Sequence, residues 1–183
     1  MKRSLIHFTA LGLGLFSVCA SANELSNAPA LATYLGLEAS YNRISDQGDT
    51  FNPLSSKLRA GLFFSTNIAL ELQLGNNIRA DDRDDGSETE LSDQQGVFLR
   101  FQSPIEQGAR VYLYGGYNEV NLNKSSTLND SKAESNLEAA AWGIGMESTI
   151  EQLNHVVFYA DYGRLYDKEI RVSQYSFGAR YQF

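Results

Sequence analysis

The sequence has little of what several protein classes depend on. It contains one cysteine, three prolines and one tryptophan in 183 residues, and its net charge is −7. One cysteine cannot form an intramolecular disulfide, and an acidic chain lacks the basic surface that nucleic-acid binding requires. After residue 22, no window approaches the roughly 18 uncharged apolar residues of a membrane-spanning helix. These absences exclude a disulfide scaffold, a nucleic-acid partner and a helical membrane protein.

Residues 1–22 have the features of a cleaved signal peptide. A positively charged start precedes an apolar run at 11–18, and the sequence A-S-A at 20–22 fits a cleavage site. Cys19 would leave with this segment, so the mature domain, residues 23–183, would have no thiol chemistry. Lipidation of Cys19 is the alternative, but Val18 before it is bulkier than the small residue that such a signal carries.

The last twelve residues, V-S-Q-Y-S-F-G-A-R-Y-Q-F, alternate strictly. Aromatic and small residues occupy one parity and mostly polar residues the other, which is typical of a β-strand between two different environments. The same alternation recurs seven more times, which predicts eight strands at about 33–44, 56–65, 68–75, 96–102, 109–120, 139–147, 156–163 and 172–183.

Alternation alone fits a soluble sandwich or a membrane barrel, because both have one apolar and one polar face per strand. The export signal, the strand lengths and the aromatic strand ends favour the barrel. Long polar links at 45–53, 80–93, 121–136 and 167–171 alternate with short links at 66–67, 103–108 and 149–154. The sequence therefore predicts an all-β fold, an eight-stranded antiparallel up-and-down transmembrane β-barrel with both termini in the periplasm.

In these features the chain resembles the small eight-stranded outer-membrane barrels of Gram-negative bacteria, of the OmpA transmembrane-domain and OmpX type. The residues that carry this resemblance most specifically are Tyr181 and Phe183, which close the last alternating strand. The resemblance implies a monomer in outer-membrane lipid and lipopolysaccharide, with Tyr181 and Phe183 as the assembly signal for periplasmic chaperones and the barrel assembly machinery. It also implies a non-enzymatic envelope component whose surface loops serve adhesion or contact an extracellular ligand.

The inward parity is predicted to form a lumen charge network, because unpaired charges inside a narrow barrel are costly. Its expected members are Glu38, Arg59, Glu71, Arg100, Arg110, Asp161 and Arg180, with Lys57 and Glu147 nearer the ends. Two interpretations follow. The network is either a sealed plug that specifies the fold, or a small passive ion channel gated by rearranged Glu–Arg pairs.

Outward aromatic residues are predicted to form interfacial girdles and to contact lipid. They are Tyr41, Phe101, Tyr117, Trp142, Tyr162, Tyr175, Tyr181 and Phe183.

The acidic segment Asp81–Glu90 invites a calcium hypothesis. It does not fit an EF-hand, because Arg83 falls at position three and Ser92 at position twelve when Asp81 is position one. A solvated loop and a loose divalent-cation site that bridges lipopolysaccharide phosphates both remain open.

An enzyme acting on lipid A is the weakest alternative. His155 is the only histidine after residue 22, and it stands beside a predicted periplasmic turn, at the wrong end for outer-leaflet chemistry. No Gly-x-Ser-x-Gly pattern is present. We therefore predict no catalytic residues, no cofactor and no metal.

Overall fold

A computed structural model describes residues 32–46, 49–82, 87–126, 131–150, 153, 155–167 and 170–183. The described backbone forms one antiparallel sheet of eight long strands and two short ones. The strands are β1 (Thr33–Asp46), β2 (Asp49–Phe51), β3 (Leu54–Ser65), β4 (Ile68–Arg79), β5 (Asp81–Asp82), β6 (Ser87–Gln102), β7 (Ala109–Ser126), β8 (Ser131–Thr149), β9 (Val156–Asp167) and β10 (Ile170–Gln182).

The sheet closes on itself. The long strands pair with their neighbours in chain order, and β10 pairs with β1 from Tyr34↔Gln182 to Asp46↔Ile170. β2 and β5 are short additions to β1 and β6. The predicted eight-stranded up-and-down barrel is confirmed. Closure leaves the eight long strands without a free edge along the barrel wall.

The predicted alternation of faces is also confirmed. Along β1 the side chains are alternately buried and exposed, so that Leu37 is 67% exposed while its neighbour Glu38 is 5% exposed. The polar parity points into the barrel and the apolar parity points out. This is the reverse of a soluble protein and matches a barrel surrounded by hydrocarbon.

The two longest predicted loops are wrong in length. Residues 121–126 and 131–136 pair as the end of the β7–β8 hairpin, in register from Asn121↔Asn136 to Ser126↔Ser131. Likewise, residues 87–93 belong to β6, and Asp81–Asp82 pair with Glu88–Thr89. Their sequence resembles a loop because it is mostly polar and lacks the regular alternation of apolar and polar residues found in the rest of these strands. We call these strand ends the projecting sheet. It consists of β5, residues 87–93 of β6, residues 121–126 of β7 and residues 131–136 of β8.

The connections at the other end are tight. Thr66-Asn67 forms a two-residue turn, and the link before β7 turns at Gln107 and Gly108, with φ values of 53° and 78°. The described ends of the chain meet at this side, where the Phe183 N–H donates to the Thr33 carbonyl at 2.9 Å. The residues that the structure describes include no apolar helix of membrane-spanning length.

A β-bulge in β6 changes which side chains enter the lumen. The register with β7 shifts between Leu91 and Asp93, so Ser92 is the extra residue. Without it, the alternation set by Phe98 would turn Leu91 outward. With it, Leu91 is fully buried inside the barrel.

Candidate functional site

The outer surface of the barrel is a band of large apolar side chains. Trp142, Phe177 and Val111 are each more than half exposed. The Tyr162 ring lies 6.2 Å from Trp142 and 5.2 Å from Tyr175. Monomeric soluble proteins rarely expose continuous apolar surface of this kind, so this band is the lipid-facing surface.

The lumen at the end where the termini meet begins with a small aromatic layer. Tyr34 and Phe63 are in ring contact at 5.4 Å and pack with Ala69. A cavity of about 500 Å³ opens outside this layer, and its lining includes Gln102 and Arg110. Phe63 of this layer also lines the cavity, and Arg110 connects the cavity to the charged network of the interior.

Arg59 is the centre of one half of the charged interior. Its guanidinium lies 2.6 Å from Glu38, 3.0 Å from Asp161 and 3.5 Å from Glu71, and all four side chains are fully buried. Lys57 adds a second contact to Glu38 at 2.5 Å. Three carboxylates therefore surround one arginine, and Lys57 supplies further positive charge.

Glu147 is the centre of the other half, with the opposite sign. Its carboxylate pairs with Arg100, Arg110 and Arg180, the last at 2.8 Å. Arg100 also lies 3.6 Å from Glu71, which joins the two halves into one network. Glu147 lies two residues before the end of β8 and is 3% exposed, so this centre of the network is buried close to the end of the barrel where the termini meet.

Tyrosines contact both kinds of charge in the lumen: their hydroxyls donate hydrogen bonds to carboxylates, and their rings pack against guanidinium groups. Tyr34 donates to Glu71, and Tyr112 donates to Asp161 at 2.7 Å. The Arg100 guanidinium carbon lies 3.6 Å from the centroid of the Tyr112 ring, and that of Arg180 lies 4.4 Å from the Tyr34 ring. Cation–π contacts of this kind partly replace the hydration that a buried guanidinium loses.

A layer of amides lies on the far side of the charges. The Gln174 amide donates to Asn42 at 2.7 Å and to Gln94 at 3.3 Å, and Gln94 donates to Asn118 at 3.3 Å. Lys57 reaches this layer through a 2.5 Å hydrogen bond to Gln174. Most buried polar groups of this layer bond to one another, as burial requires, whereas Nδ2 of Asn118 has no hydrogen-bond partner among the described residues.

Beyond the amides the lumen is apolar. A cluster of buried side chains from six long strands and β2 fills it near the projecting sheet. We call this the aliphatic layer, and it consists of Ile44, Phe51, Leu91, Val120, Leu122, Leu137, Leu165 and Val172. Sequence reasoning missed it, although the inward parity of Ile44, Val120 and Leu122 was a usable signal.

Within the described ranges, no three histidine, cysteine or acidic side chains are placed to hold a metal ion. His155 lies at the end where the termini meet, with its ring stacked 5.4 Å from Tyr181 and Nδ1 3.1 Å from the Gln182 carbonyl. The backbone of Asp81–Asp82 is strand rather than loop, and residues 83–86 of the predicted acidic segment lie outside the described residues.

The predicted assembly residues lie on the lipid side of β10. Tyr181 and Phe183 are 46% and 69% exposed, and their ring centroids are 5.0 Å apart. Residues 1–31, which include the predicted signal peptide, lie outside the described residues.

A closed antiparallel barrel with an apolar exterior and a charged, hydrogen-bonded interior defines a transmembrane β-barrel protein. The model of the outer membrane protein beta-barrel domain family matches residues 8–183, and the chain belongs to this family. It is accordingly an outer-membrane protein in a lipid and lipopolysaccharide environment. A comparison with curated proteins found no match.

Solved structures share the fold at low sequence identity. Ail, the attachment invasion locus protein of Yersinia pestis, crystallised with the heparin analogue sucrose octasulfate, has a TM-score of 0.64 at 15% identity, over 84% of this chain and 99% of Ail. Neisserial surface protein A has a TM-score of 0.62 at 14% identity, over 83% and 99%. The N-terminal barrel of Pseudomonas aeruginosa OprF has a TM-score of 0.56 at 14% identity, over 81% and 97%.

Proposed function

We propose that the protein is a non-enzymatic component of the outer-membrane surface that contacts an extracellular partner through its projecting sheet. One edge of β8 carries the proposal. β7 pairs with β8 from Ser131 to Ser148, whereas the β9 pairing begins only at Trp142. On its β9 side, Ser131–Ala141 therefore has no paired strand among the described residues. An unpaired strand edge offers N–H and C=O groups to an extended peptide, which is the basis of β-strand addition.

Charge indicates which partner suits this edge. The connections at this end of the barrel, residues 45–53, 76–95, 119–138 and 164–172, contain 15 acidic and seven basic residues. Electrostatic complementarity between partners speeds association and suppresses unsuitable ones. An extended basic peptide segment therefore fits this end better than a polyanion such as the one in the Ail crystal.

Shortening the β7–β8 hairpin tests the proposal. Asn123 and Glu134 face each other in register, so replacing residues 124–133 by Asn-Gly would retain the pairing below them. Cells displaying this variant are expected to bind a fluorescent lysine-rich extended peptide about threefold more weakly than wild type, since Ser131–Ala133, three of the eleven residues of the open edge, are lost with their backbone hydrogen-bonding groups. The matched control replaces the turn Thr66-Asn67 by Asn-Gly at the opposite end. Equal peptide binding by both variants would reject the proposal.

The layered lumen supports a structural rather than a conducting interior. An ion crossing the barrel would have to separate the Arg59 and Glu147 ion pairs and then pass the aliphatic layer. Planar-bilayer recording of the folded protein is expected to show no single-channel steps, because an apolar constriction excludes hydrated ions. Adding a general porin to the same bilayer verifies sensitivity. Discrete steps from the protein alone would support the channel alternative.

The position of His155 supports a non-enzymatic role toward outer-leaflet lipid. Lipid A mass spectra from cells overproducing the protein are expected to match those of cells lacking it. A new lipid A species would support the enzyme alternative instead.

A further inference from the structure

The outward residues next to a row of aligned outward tyrosines are unevenly charged around the barrel. On β1, Tyr41 is followed at the next outward position by Arg43, and on β9, Tyr162 is followed by Arg164. β10 lies between these strands and aligns them. Tyr41 pairs with Tyr175, which pairs with Tyr162.

The same alignment holds one row farther out. Arg43 pairs with Ser173, which pairs with Arg164. Two arginines therefore flank one serine, directly beyond a row of three tyrosines. Strands separated by one neighbour are about 10 Å apart, so the two guanidinium groups can reach one anionic group between them.

These cations are only partly neutralised. Arg43 is exposed and forms no ion pair with any side chain that the structure describes. Arg164 and Arg171 share the single carboxylate of Asp167, each at 3.5 Å. Nε of Arg164 is buried and has no hydrogen-bond partner. The row formed by Arg43, Ser173 and Arg164 therefore contains two cations and no carboxylate.

The opposite side of the barrel carries the reverse charge. On β7, Tyr117 is followed at the next outward position by Glu119, which lies directly across from Glu138 on β8. Glu119 accepts hydrogen bonds from Gln95 and Asn136, and Glu138 accepts one from Tyr117. The basic side is therefore a local feature and not a ring around the barrel.

We propose that the β9–β10–β1 side of the barrel binds the phosphorylated headgroup of an outer-leaflet glycolipid, lipid A. Outward tyrosines mark the membrane interface, and lipid phosphates lie at that depth or just beyond it. Guanidinium groups bind phosphate through paired, charge-assisted hydrogen bonds. Ser173 adds a hydroxyl donor. The neighbouring row of tyrosines can contact the sugar of a glycolipid, a contact that inorganic phosphate cannot make. The acidic β6–β8 side would repel the same headgroup.

Trp142 is a built-in reporter for this site. It is the only tryptophan in the chain, it pairs with Arg164 in register, and its ring lies beside Tyr162. The folded chain in phosphatidylcholine vesicles is titrated with bisphosphorylated lipid A while Trp142 emission is recorded. We expect a saturable change, with half-saturation raised roughly 30-fold in R43Q/R164Q, since each basic residue near an anionic lipid surface contributes about 1 kcal/mol.

The matched control is E119Q/E138Q, which neutralises charge on the opposite side and is expected to leave the half-saturation point unchanged. Retention of the heat-modifiable gel shift shows that every variant is folded. Three further titrations test the source of the phosphate: dephosphorylated lipid A and phosphatidylglycerol are expected to produce no saturable change, and millimolar inorganic phosphate is expected not to compete. Equal half-saturation for wild type and R43Q/R164Q, an equal response to phosphatidylglycerol, or full competition by inorganic phosphate would each overturn the proposal.

Discussion

Replacement of Glu147 by alanine is expected to lower the free energy of unfolding of the barrel by about 4 kcal/mol, because removing one partner of a buried ion pair leaves uncompensated charge. The effect should lie at the high end of this class. Glu147 is the shared partner of Arg100, Arg110 and Arg180, and of these only Arg100 has another carboxylate within ion-pair distance among the described residues. Electrostatic repulsion among the three cations would add to the cost of burying them.

Urea unfolding of the protein in lipid vesicles, followed by Trp142 fluorescence, measures this change. Glu106 is exposed in a turn at the same end of the barrel, so Glu106→Ala is the control and should change the stability by less than about 0.5 kcal/mol. Glu147→Gln keeps an acceptor of the same shape without the charge and should fall between the two. A loss below about 1 kcal/mol for Glu147→Ala would show that the arginines find other partners.

A methyl group at Gly116 is expected to destabilise the barrel by about 3 kcal/mol, or to prevent folding, because overpacking against backbone cannot be relieved by a rotamer change. A Cβ atom at Gly116 would lie 2.0 Å from the Val97 carbonyl oxygen and 2.7 Å from the Phe98 Cα. Both atoms belong to the backbone of β6, which is fixed in the sheet by pairing with β4 and β7. Relief would require the wall of the barrel to move.

The adjacent glycine is the control for this experiment. A Cβ atom at Gly115 points outward and would meet nothing closer than the Ala141 carbonyl oxygen at 3.9 Å. Gly115→Ala should therefore change the stability by less than about 0.5 kcal/mol. The fraction of heat-modifiable protein and the urea midpoint compare the two variants directly. Similar behaviour of Gly115→Ala and Gly116→Ala would contradict the predicted clash.

The sequence predicts the faces of the barrel well, because a period of two is a local property that pairing does not alter. The assignment of Leu37 to the outside and Glu38 to the inside needs only β1 itself. The same reasoning places Arg59 and Asp161 in the lumen, but it cannot tell which carboxylate each arginine meets. Those contacts depend on the register of strands far apart in the chain, such as β3 and β9.

Three features cannot be predicted from local sequence, each for a different reason. The polar ends of β7 and β8 resemble loops because their sequence lacks regular hydrophobic alternation, although their backbones pair fully. The inward position of Leu91 cannot be predicted because the bulge at Ser92 reverses the parity of the strand, and nothing in the composition of β6 marks that residue. The role of Glu147 as the shared partner of three arginines cannot be predicted locally, because those arginines come from β6, β7 and β10.

The aliphatic layer is the permeability barrier of the barrel, and it is distinct from the surface that other molecules contact. All of its side chains lie below residues 124–133, the tip of the β7–β8 hairpin, so the seal does not depend on what that tip contains. Foreign epitopes inserted at this tip should therefore leave the envelope impermeable to small solutes. The same placement lets the tip change in sequence from strain to strain while the barrel beneath it stays closed.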